Sequence, residues 1–393
     1  MTIGVDERMA LAREWDSLLE QVRELPEFTD FLESPSIGDL AEATSDGTVV
    51  IVNVSQWRCD ALMVSRAGVR SVELPGLSRE SAMARMRAYL QAVGDAHLAS
   101  RSPEAMVARE RMEGVLTDTL AWLWETVARP VLDAQRLSGP SEGRWPRLWW
   151  CPTGPLTLLP LHAAGGPGGW VMDRAVSSYT PTLRILAETP PAVSPEDDDR
   201  LLIVSLPETP GQPPLPGVVK ETDALRKLFA GRHTLLHGDD ATKANVRAEL
   251  ARHRWAHLSC HATQDLTTPS RGGLIVYDGR LTVTDLAEED RKGDFAFLSA
   301  CKTATGGTTL PDEAITLAAV LRYTGYRHVI ATLWAVDDSV TAPLVHALYL
   351  ALTRSGYFDP ENAAVALHQV IRAFRAGLPT RPSLWVPFVH VGP

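Results

Sequence analysis

Two short segments of this chain decide its fold: Arg254-Trp255-Ala256-His257-Leu258-Ser259-Cys260-His261 and Phe295-Ala296-Phe297-Leu298-Ser299-Ala300-Cys301. Each segment is an apolar run typical of a buried parallel strand, and each ends in a reactive side chain. In an open α/β sheet, reactive groups gather at the carboxyl ends of the strands. The two segments therefore predict that an imidazole and a thiol meet at one edge of a parallel sheet.

The two segments belong to a regular alternation of strands and helices in the second half of the chain. Strands are predicted near 201–205, 233–237, 254–259, 294–299 and 328–334. Helices are predicted near 218–230, 242–251, 312–324, 339–355 and 361–376. Strands separated by helices predict an α/β fold with a parallel sheet and right-handed crossovers. The longer connection from 260 to 293 is expected to contain a small hairpin.

The first half of the chain has a mixed α+β pattern. It predicts a helix over 6–24, a three-stranded meander over 49–74, helices near 78–93 and 104–128, and a strand at 148–150. The proline-rich and then acidic run near 189–199 cannot continue a helix or a central strand. We therefore expect an N-terminal domain over 1–190, a linker over 191–200 and a catalytic domain over 201–393.

Composition excludes several classes of protein. The chain has 393 residues, 45% of them hydrophobic and 22% charged, with a net charge of −10. Without a basic run, direct nucleic-acid binding is not expected, and no apolar stretch is long enough to span a bilayer. The cysteines are few and scattered, which favours reduced thiols in a cytoplasm, and no cluster predicts a metal or a cofactor.

Cys301 and His261 are the candidate catalytic residues. In this arrangement the imidazole removes the thiol proton and the thiolate attacks a carbonyl carbon, giving an acyl-enzyme. The backbone N–H groups of Ala262 and Cys301 are the expected oxyanion donors, each contributing about 3 kcal/mol. Taken singly, such a cysteine is more often a buried apolar residue and such a histidine a structural one, so spacing alone leaves both interpretations open.

Longer motifs carry a resemblance to a known family. They are His257-Leu258-Ser259-Cys260-His261-Ala262, Leu298-Ser299-Ala300-Cys301-Lys302-Thr303-Ala304, Asp312-Glu313, Tyr323-Thr324-Gly325-Tyr326, and the run 329–338 containing Trp334, Asp337 and Asp338. Further matches are Cys151-Pro152-Thr153-Gly154-Pro155-Leu156, Leu215-Pro216-Gly217 with Glu221, and Trp385-Val386-Pro387-Phe388-Val389. Over about 115–393 the chain resembles the CHAT-domain cysteine proteases, caspase-like enzymes related to separase.

The resemblance implies a caspase-like three-layer α/β/α sandwich and a Cys–His dyad that requires no third residue. It also implies a protein substrate, a signalling or defence role in bacteria, and control by a regulatory domain or protein partner. In separase-like architecture an inactive caspase-like subdomain precedes the active one, and residues 1–190 are the candidate for it. Caspases carry glycine where this chain has Ala262, and metacaspases carry aspartate where it has Ser299.

The same resemblance implies a substrate pocket formed by Ser299, Trp334, Asp337 and Asp338, in which a carboxylate would favour a basic substrate side chain. The structural alternative is that the aspartates cap the helix beginning near Ser339. Two functional alternatives also stay open. One is a caspase-like scaffold or binding protein without turnover, and the other is a thiol acyltransferase that uses the same nucleophile.

Overall fold

The computed structural model describes residues 5–28, 31, 36–42, 44, 47–98, 103–189, 192, 199–263, 271–288, 293–300, 317–334, 336 and 338–393. Within these ranges the α-helices, α1 to α12, are Val5–Arg23, Ile37–Glu42, Arg79–Leu98, Pro103–Leu123, Arg129–Ala134, Leu183–Ala187, Pro216–Leu228, Lys243–Leu250, Val283–Ala287, Leu317–Tyr323, Asp338–Leu352 and Ala363–Gly377. None of the helices in the described part of the chain is long and apolar enough to cross a membrane.

The β-strands of the same ranges, β1 to β16, are Gly47–Asn53, Asp60–Ser65, Gly68–Glu73, Arg147–Pro152, Gly165–Gly166, Gly169–Trp170, Val176–Tyr179, Leu201–Ser205, His233–His237, Trp255–Ser259, His261–Thr263, Gly273–Val276, Gly279–Thr282, Phe295–Ser299, His328–Thr332 and Phe388–Val391. Eleven of these described strands form one sheet, in the order β3-β2-β1-β4-β7-β16-β15-β14-β10-β8-β9. A separate three-stranded sheet has the order β11-β12-β13.

The second half of the chain supplies the parallel centre of the large sheet. Strands β8, β9, β10, β14 and β15 pair in parallel, and β10 lies between β8 and β14. The inner strands β8, β10, β14 and β15 are largely apolar and buried, because a parallel sheet is covered on both faces, whereas the edge strand β9 has a histidine at each end and is only partly buried. The predicted α/β fold with a mostly parallel sheet is confirmed.

The first half of the chain extends the same sheet. The meander β1–β2–β3 pairs antiparallel, as the sequence predicts, with a short turn between β2 and β3 before Gly68, and β1 then pairs in parallel with β4. The junction with the second half is made by β7 and β16, which run parallel with Tyr179 opposite Val391. Strand β16 pairs antiparallel with β15 and so reverses the direction of the sheet at this seam. Most of the linker predicted over 191–200 lies outside the described residues.

An aromatic cluster packs α11 against the central strands. Tyr349 of α11 stacks on Phe358 with ring centroids 5.8 Å apart, and Phe358 meets Trp255 at 4.8 Å and Phe295 at 5.2 Å. These rings are at most 2% exposed. Because buried aromatic rings contribute both large apolar area and edge-to-face contacts, the cluster holds β10 and β14 rigidly side by side.

Candidate active site

His261 lies where the large sheet passes into the small one. Strand β10 ends at Ser259, Cys260 is buried, and β11 begins at His261, which pairs antiparallel with Ile275 of β12. The hairpin β12–β13 expected in the 260–293 connection is therefore present, and it fixes the backbone of His261 from the opposite side. The side chain of His261 is partly exposed, as a residue that meets a substrate must be.

The imidazole of His261 has one identified partner, the backbone carbonyl of Pro213. Its Nε2 lies 2.7 Å from the Pro213 oxygen. Because a carbonyl oxygen can only accept, Nε2 carries the proton, and in the neutral ring Nδ1 is left as the unprotonated nitrogen. In the predicted dyad, Nδ1 would therefore be the nitrogen that accepts the thiol proton. Pro213 was missed by the sequence analysis, because a backbone carbonyl has no residue-type signal.

The register of the central strands pairs the residues that lie two positions before each predicted catalytic residue. Ser259 of β10 is paired in parallel with Ser299 of β14, and His261 and Cys301 each follow two residues later along the chain. Neighbouring strands lie about 4.8 Å apart. The described part of the second strand end stops at Ala300, which is buried and whose carbonyl accepts a hydrogen bond of 2.7 Å from Thr332 Oγ1. Cys301 itself lies outside the described residues, so the position of its thiol stays a prediction.

Ala262, an expected oxyanion donor, lies in β11 opposite Leu274. It is not among the described residues with a positive φ. An alanine therefore fits this backbone without strain, although caspases carry glycine at the position. The departure from the caspase pattern needs no compensating change here.

The predicted pocket residues fall into different environments. Ser299 ends β14 and is partly buried. Trp334 is 3% exposed, its indole N–H donates to the Ser383 carbonyl at 3.0 Å, and its ring lies edge-on to Tyr89 at 5.9 Å. Asp337 lies outside the described residues, and α11 begins at Asp338, so the pocket and capping interpretations of the two aspartates both remain predictions.

A buried polar network stands behind the strand that carries His261. Ser259 Oγ donates to Glu221 Oε2 at 2.8 Å, and His257 Nε2 lies 2.8 Å from Ser259 Oγ and 3.2 Å from Glu221 Oε2. On its other side His257 Nδ1 lies 3.1 Å from the hydroxyl of Tyr349. Burial and the nearby Glu221 carboxylate raise the pKa of Tyr349 well above its usual value, so the phenol stays protonated and donates to Nδ1.

This network ties three elements to the strand end. Glu221 belongs to α7, Tyr349 to α11 and His257 and Ser259 to β10. All four side chains are buried, and each polar atom named is paired, which is the condition for keeping polar groups in a core. The network therefore holds Ser259 in place two residues before His261. The run Leu215-Pro216-Gly217 with Glu221 was noted in the sequence only as a family match.

His162, in the first half of the chain, differs from His261 because contacts are found at both of its ring nitrogens. His162 Nδ1 lies 3.0 Å from the Tyr179 hydroxyl and Nε2 lies 2.9 Å from the Val386 carbonyl. Burial lowers the pKa of His162 to about 4 and raises the pKa of the Cys151 thiol to about 11. A thiol that stays protonated is a poor nucleophile. Both ring nitrogens of His162 are occupied by contacts that hold its ring in place.

The ranges that the structure describes contain no candidate metal-binding site. No group of three or more histidine, cysteine, aspartate and glutamate side chains there could hold a metal ion. Cys59, Cys151 and Cys260 are buried, and none of them forms a disulfide within the described residues.

Comparison with known proteins gives the family and the fold. The CHAT domain family model matches residues 117–393. Two structures of the Saccharomyces cerevisiae separase–securin complex match at 10% sequence identity over 91% of this chain, with TM-scores of 0.61 and 0.63. The chain covers 31% and 30% of those separase chains, so it spans about a third of their length. Gingipain R (RgpB) matches over 88% of this chain and 77% of its own at 9% identity, with a TM-score of 0.42.

No curated protein matches the sequence significantly. At these identities the separase structures show a shared caspase-like fold, and the family match covers more than half of the chain. The chain therefore belongs to the CHAT domain family and has the fold of the caspase-like cysteine proteases.

Proposed function

We propose that this protein is a cysteine endopeptidase with Cys301 as nucleophile and His261 as base and acid. The observation that supports this most directly is the 2.7 Å contact from His261 Nε2 to the Pro213 carbonyl. It orients the ring and leaves Nδ1 as the proton acceptor. The strand register also supports the proposal. Ser259 and Ser299 are paired directly, and positions 261 and 301 each follow two residues later along the chain.

The proposed reaction begins with transfer of the Cys301 thiol proton to His261 Nδ1. The thiolate then bonds to the scissile carbonyl carbon, and the carbonyl electron pair moves to oxygen, where backbone N–H groups of Ala262 and Cys301 stabilise the oxyanion. As the C–N bond breaks, His261 Nδ1–H gives its proton to the leaving amine. A water molecule, deprotonated by His261, hydrolyses the thioester and restores the thiol.

The Pro213 carbonyl acts on both forms of the ring. It holds the neutral imidazole in one tautomer, and it accepts a stronger, charge-assisted hydrogen bond once the ring is an imidazolium. A backbone acceptor therefore supplies what a side-chain third residue supplies in other nucleophile–base pairs. The dyad needs no aspartate on this account, as the family resemblance implied.

The substrate is proposed to be a protein, and the acyl-side pocket is proposed to involve Ser299, Trp334, Asp337 and Asp338. In the matching separase structures that enzyme is bound to securin. By analogy we propose that this chain binds a protein partner, and that this partner controls it in a signalling or defence role. The buried cysteines Cys59, Cys151 and Cys260, which form no disulfide within the described residues, support a reducing, cytoplasmic setting.

A peptide chloromethyl ketone tests the proposal, because it alkylates an activated thiol beside a peptide-binding site much faster than it alkylates other thiols. We expect the probe to modify Cys301, located by mass spectrometry of the digested adduct, and labelling to fall strongly in His261→Ala. A probe that labels no cysteine would favour the scaffold alternative. Labelling of Cys301 together with acyl transfer to an added amine, in place of hydrolysis, would favour the acyltransferase.

A further inference from the structure

A groove of about 450 Å³ adjoins the His261 side of the candidate site. Its lining residues are Glu208, Thr209, Pro210, Gln212, Pro214 and Tyr277. One wall is the loop that follows β8, and the other is the turn of the β12–β13 hairpin, where Tyr277 stands. The groove is large enough for one long side chain and its backbone. None of the described residues assigned to the candidate site lines this groove.

The groove is attached directly to the catalytic base. Gln212 and Pro214 are the chain neighbours of Pro213, whose carbonyl binds His261. The loop is closed on itself by the hydrogen bond from Leu215 N to the Pro207 carbonyl at 2.7 Å. Prolines within it fix φ, so the wall is preorganised before any ligand arrives. A ligand in the groove would therefore lie at a defined distance from His261.

The hairpin wall is held as firmly as the loop. Tyr277 N donates to the Ala241 carbonyl at 3.0 Å, and Asp278 Oδ1 accepts from the backbone N–H of Lys243 at 2.8 Å. The Tyr277 side chain nevertheless stays 39% exposed, so one part of its ring is open to the groove. An open aromatic ring on a fixed turn is a ready stacking surface.

The chemistry of the lining favours a cation. Glu208 is exposed and, among the described residues, makes no ion pair. Thr209 is only 6% exposed, yet its Oγ1 has no hydrogen-bond partner in the described part of the chain. A carboxylate, an unpaired hydroxyl oxygen and an open tyrosine ring together match a guanidinium or ammonium group, which pairs with carboxylates and stacks on aromatic faces.

The proposed mechanism indicates which part of the substrate, before or after the cleaved bond, reaches this groove. The leaving amine takes its proton from His261, so the substrate residues that follow the cut must pass the imidazole. The groove lies on the far, Nε2 side of that imidazole, next to the loop that holds it. The acyl side of the substrate lies instead toward Cys301 and the oxyanion donors.

We propose that this groove binds an arginine or lysine side chain from the substrate segment that follows the cleaved bond, with Glu208 as its specificity-determining residue. The inference rests on the proposed peptidase function. Arginine is expected to be preferred over lysine, because its planar group can stack on Tyr277 while donating to both Glu208 and Thr209. The groove thus adds selection on the leaving-group side to any selection by the acyl-side pocket.

The test uses matched fluorogenic peptides that differ only after the cleaved bond, with arginine or glutamine at each of the first three positions. We expect one arginine position to raise kcat/KM of the intact protein about tenfold, the size of one charge-assisted hydrogen bond at a partly solvated site. Glu208→Gln should remove that advantage and leave the glutamine peptides within about twofold. Glu208→Arg should reverse the order toward glutamate peptides. Asp223→Asn, an exposed carboxylate on α7, is the matched control.

Binding separates this inference from the proposed function. The peptide that carries arginine should bind Cys301→Ala more tightly than its glutamine counterpart, and Glu208→Gln in that background should abolish the difference. If the intact protein cleaves peptides but Glu208→Gln keeps the arginine advantage, the groove proposal is wrong and the peptidase proposal stands. If nothing is cleaved but the binding difference holds, the peptidase proposal fails alone.

Discussion

Lowering the pH from about 7.5 to about 5.5 should destabilise the folded protein, because several buried histidines remain neutral in it. Burial lowers the pKa of His162 to about 4, and burial together with nearby arginines lowers the pKa of His368 to about 4. Burial also lowers the pKa of His328 and of His390. An unfolded histidine has a pKa of about 6.5. The unfolded chain therefore binds more protons than the folded one as the pH falls through that value.

His328 and His390 must stay neutral for a further reason, since they form one directed chain of hydrogen bonds. Ser178 Oγ lies 2.8 Å from His390 Nδ1, His390 Nε2 lies 3.0 Å from His328 Nδ1, and His328 Nε2 lies 3.1 Å from Glu361 Oε1. With one proton on each ring, at Nε2, every contact has a donor and an acceptor. A second proton on His328, at Nδ1, would face the Nε2–H of His390 and place two donors against each other at the seam between β15 and β16.

The magnitude follows from the two histidines with stated pKa values. For a pKa of about 4 when folded and about 6.5 when unfolded, linkage removes about 1.3 kcal/mol of unfolding free energy between pH 7.5 and pH 5.5. His162 and His368 together remove about 2.6 kcal/mol, and His328 and His390 add to the loss in the same direction. Since domains are typically stable by only 5–15 kcal/mol, the loss is a large part of the total.

Urea denaturation at the two pH values, followed by tryptophan fluorescence, measures this loss. His162→Gln keeps a donor for the Val386 carbonyl and an acceptor for the Tyr179 hydroxyl but cannot titrate, so its pH-dependent loss should be smaller than that of the intact protein by about 1.3 kcal/mol. The exposed His346 provides the control, His346→Gln, which should change nothing. Equal pH dependence in His162→Gln and the intact protein, or an intact protein no less stable at pH 5.5, would refute the reasoning.

Three further predictions concern stability and organisation. Glu221→Gln should lower the unfolding free energy by about 1.5–3 kcal/mol in urea denaturation, because a buried carboxylate that accepts from Ser259 is replaced by an amide; a change as small as that of Asp223→Asn would contradict it. Tyr349→Phe should cost about 1–2 kcal/mol in the same assay, since the ring stays packed while His257 Nδ1 loses its donor; full stability would mean that the network does not matter. Limited Glu-C digestion should cut first near 196–200 and leave the fragments associated on a sizing column, because β7 and β16 join both halves in one sheet; separation into two soluble halves would exclude a common folded body.

The central strands could be predicted from the sequence, because each is a short apolar run that is bounded by helical segments or turns. Buried runs such as 255–259 and 295–299 read as parallel strands wherever they occur, and the helices between them leave few arrangements of the sheet. His261 could be placed at a strand end by the same reasoning. The meander β1–β3 could be predicted from its short apolar runs and from Gly68 between β2 and β3.

Other features had no local signal. Strand β16 has four residues, and its antiparallel pairing with β15 and its contact with β7 at Tyr179 depend on long-range packing. The Pro213 carbonyl belongs to a loop whose prolines indicate rigidity. Nothing in the loop sequence indicates that this carbonyl binds His261. The network of Glu221, His257 and Ser259 joins residues from two elements, and isolated polar residues in apolar runs do not reveal their partners.

The peptidase mechanism is tested most directly by the cleavage rate of four purified proteins on one peptide library. These are the intact chain, Cys301→Ala, His261→Ala and the control Cys260→Ala, whose buried thiol neighbours the base without a role in the reaction. We predict that the first two variants each lose at least about 10³-fold in kcat, because nucleophile and base act as a unit, whereas Cys260→Ala keeps its activity and circular dichroism shows all four folded. Cleavage by either Cys301→Ala or His261→Ala at the rate of the intact chain would contradict the account.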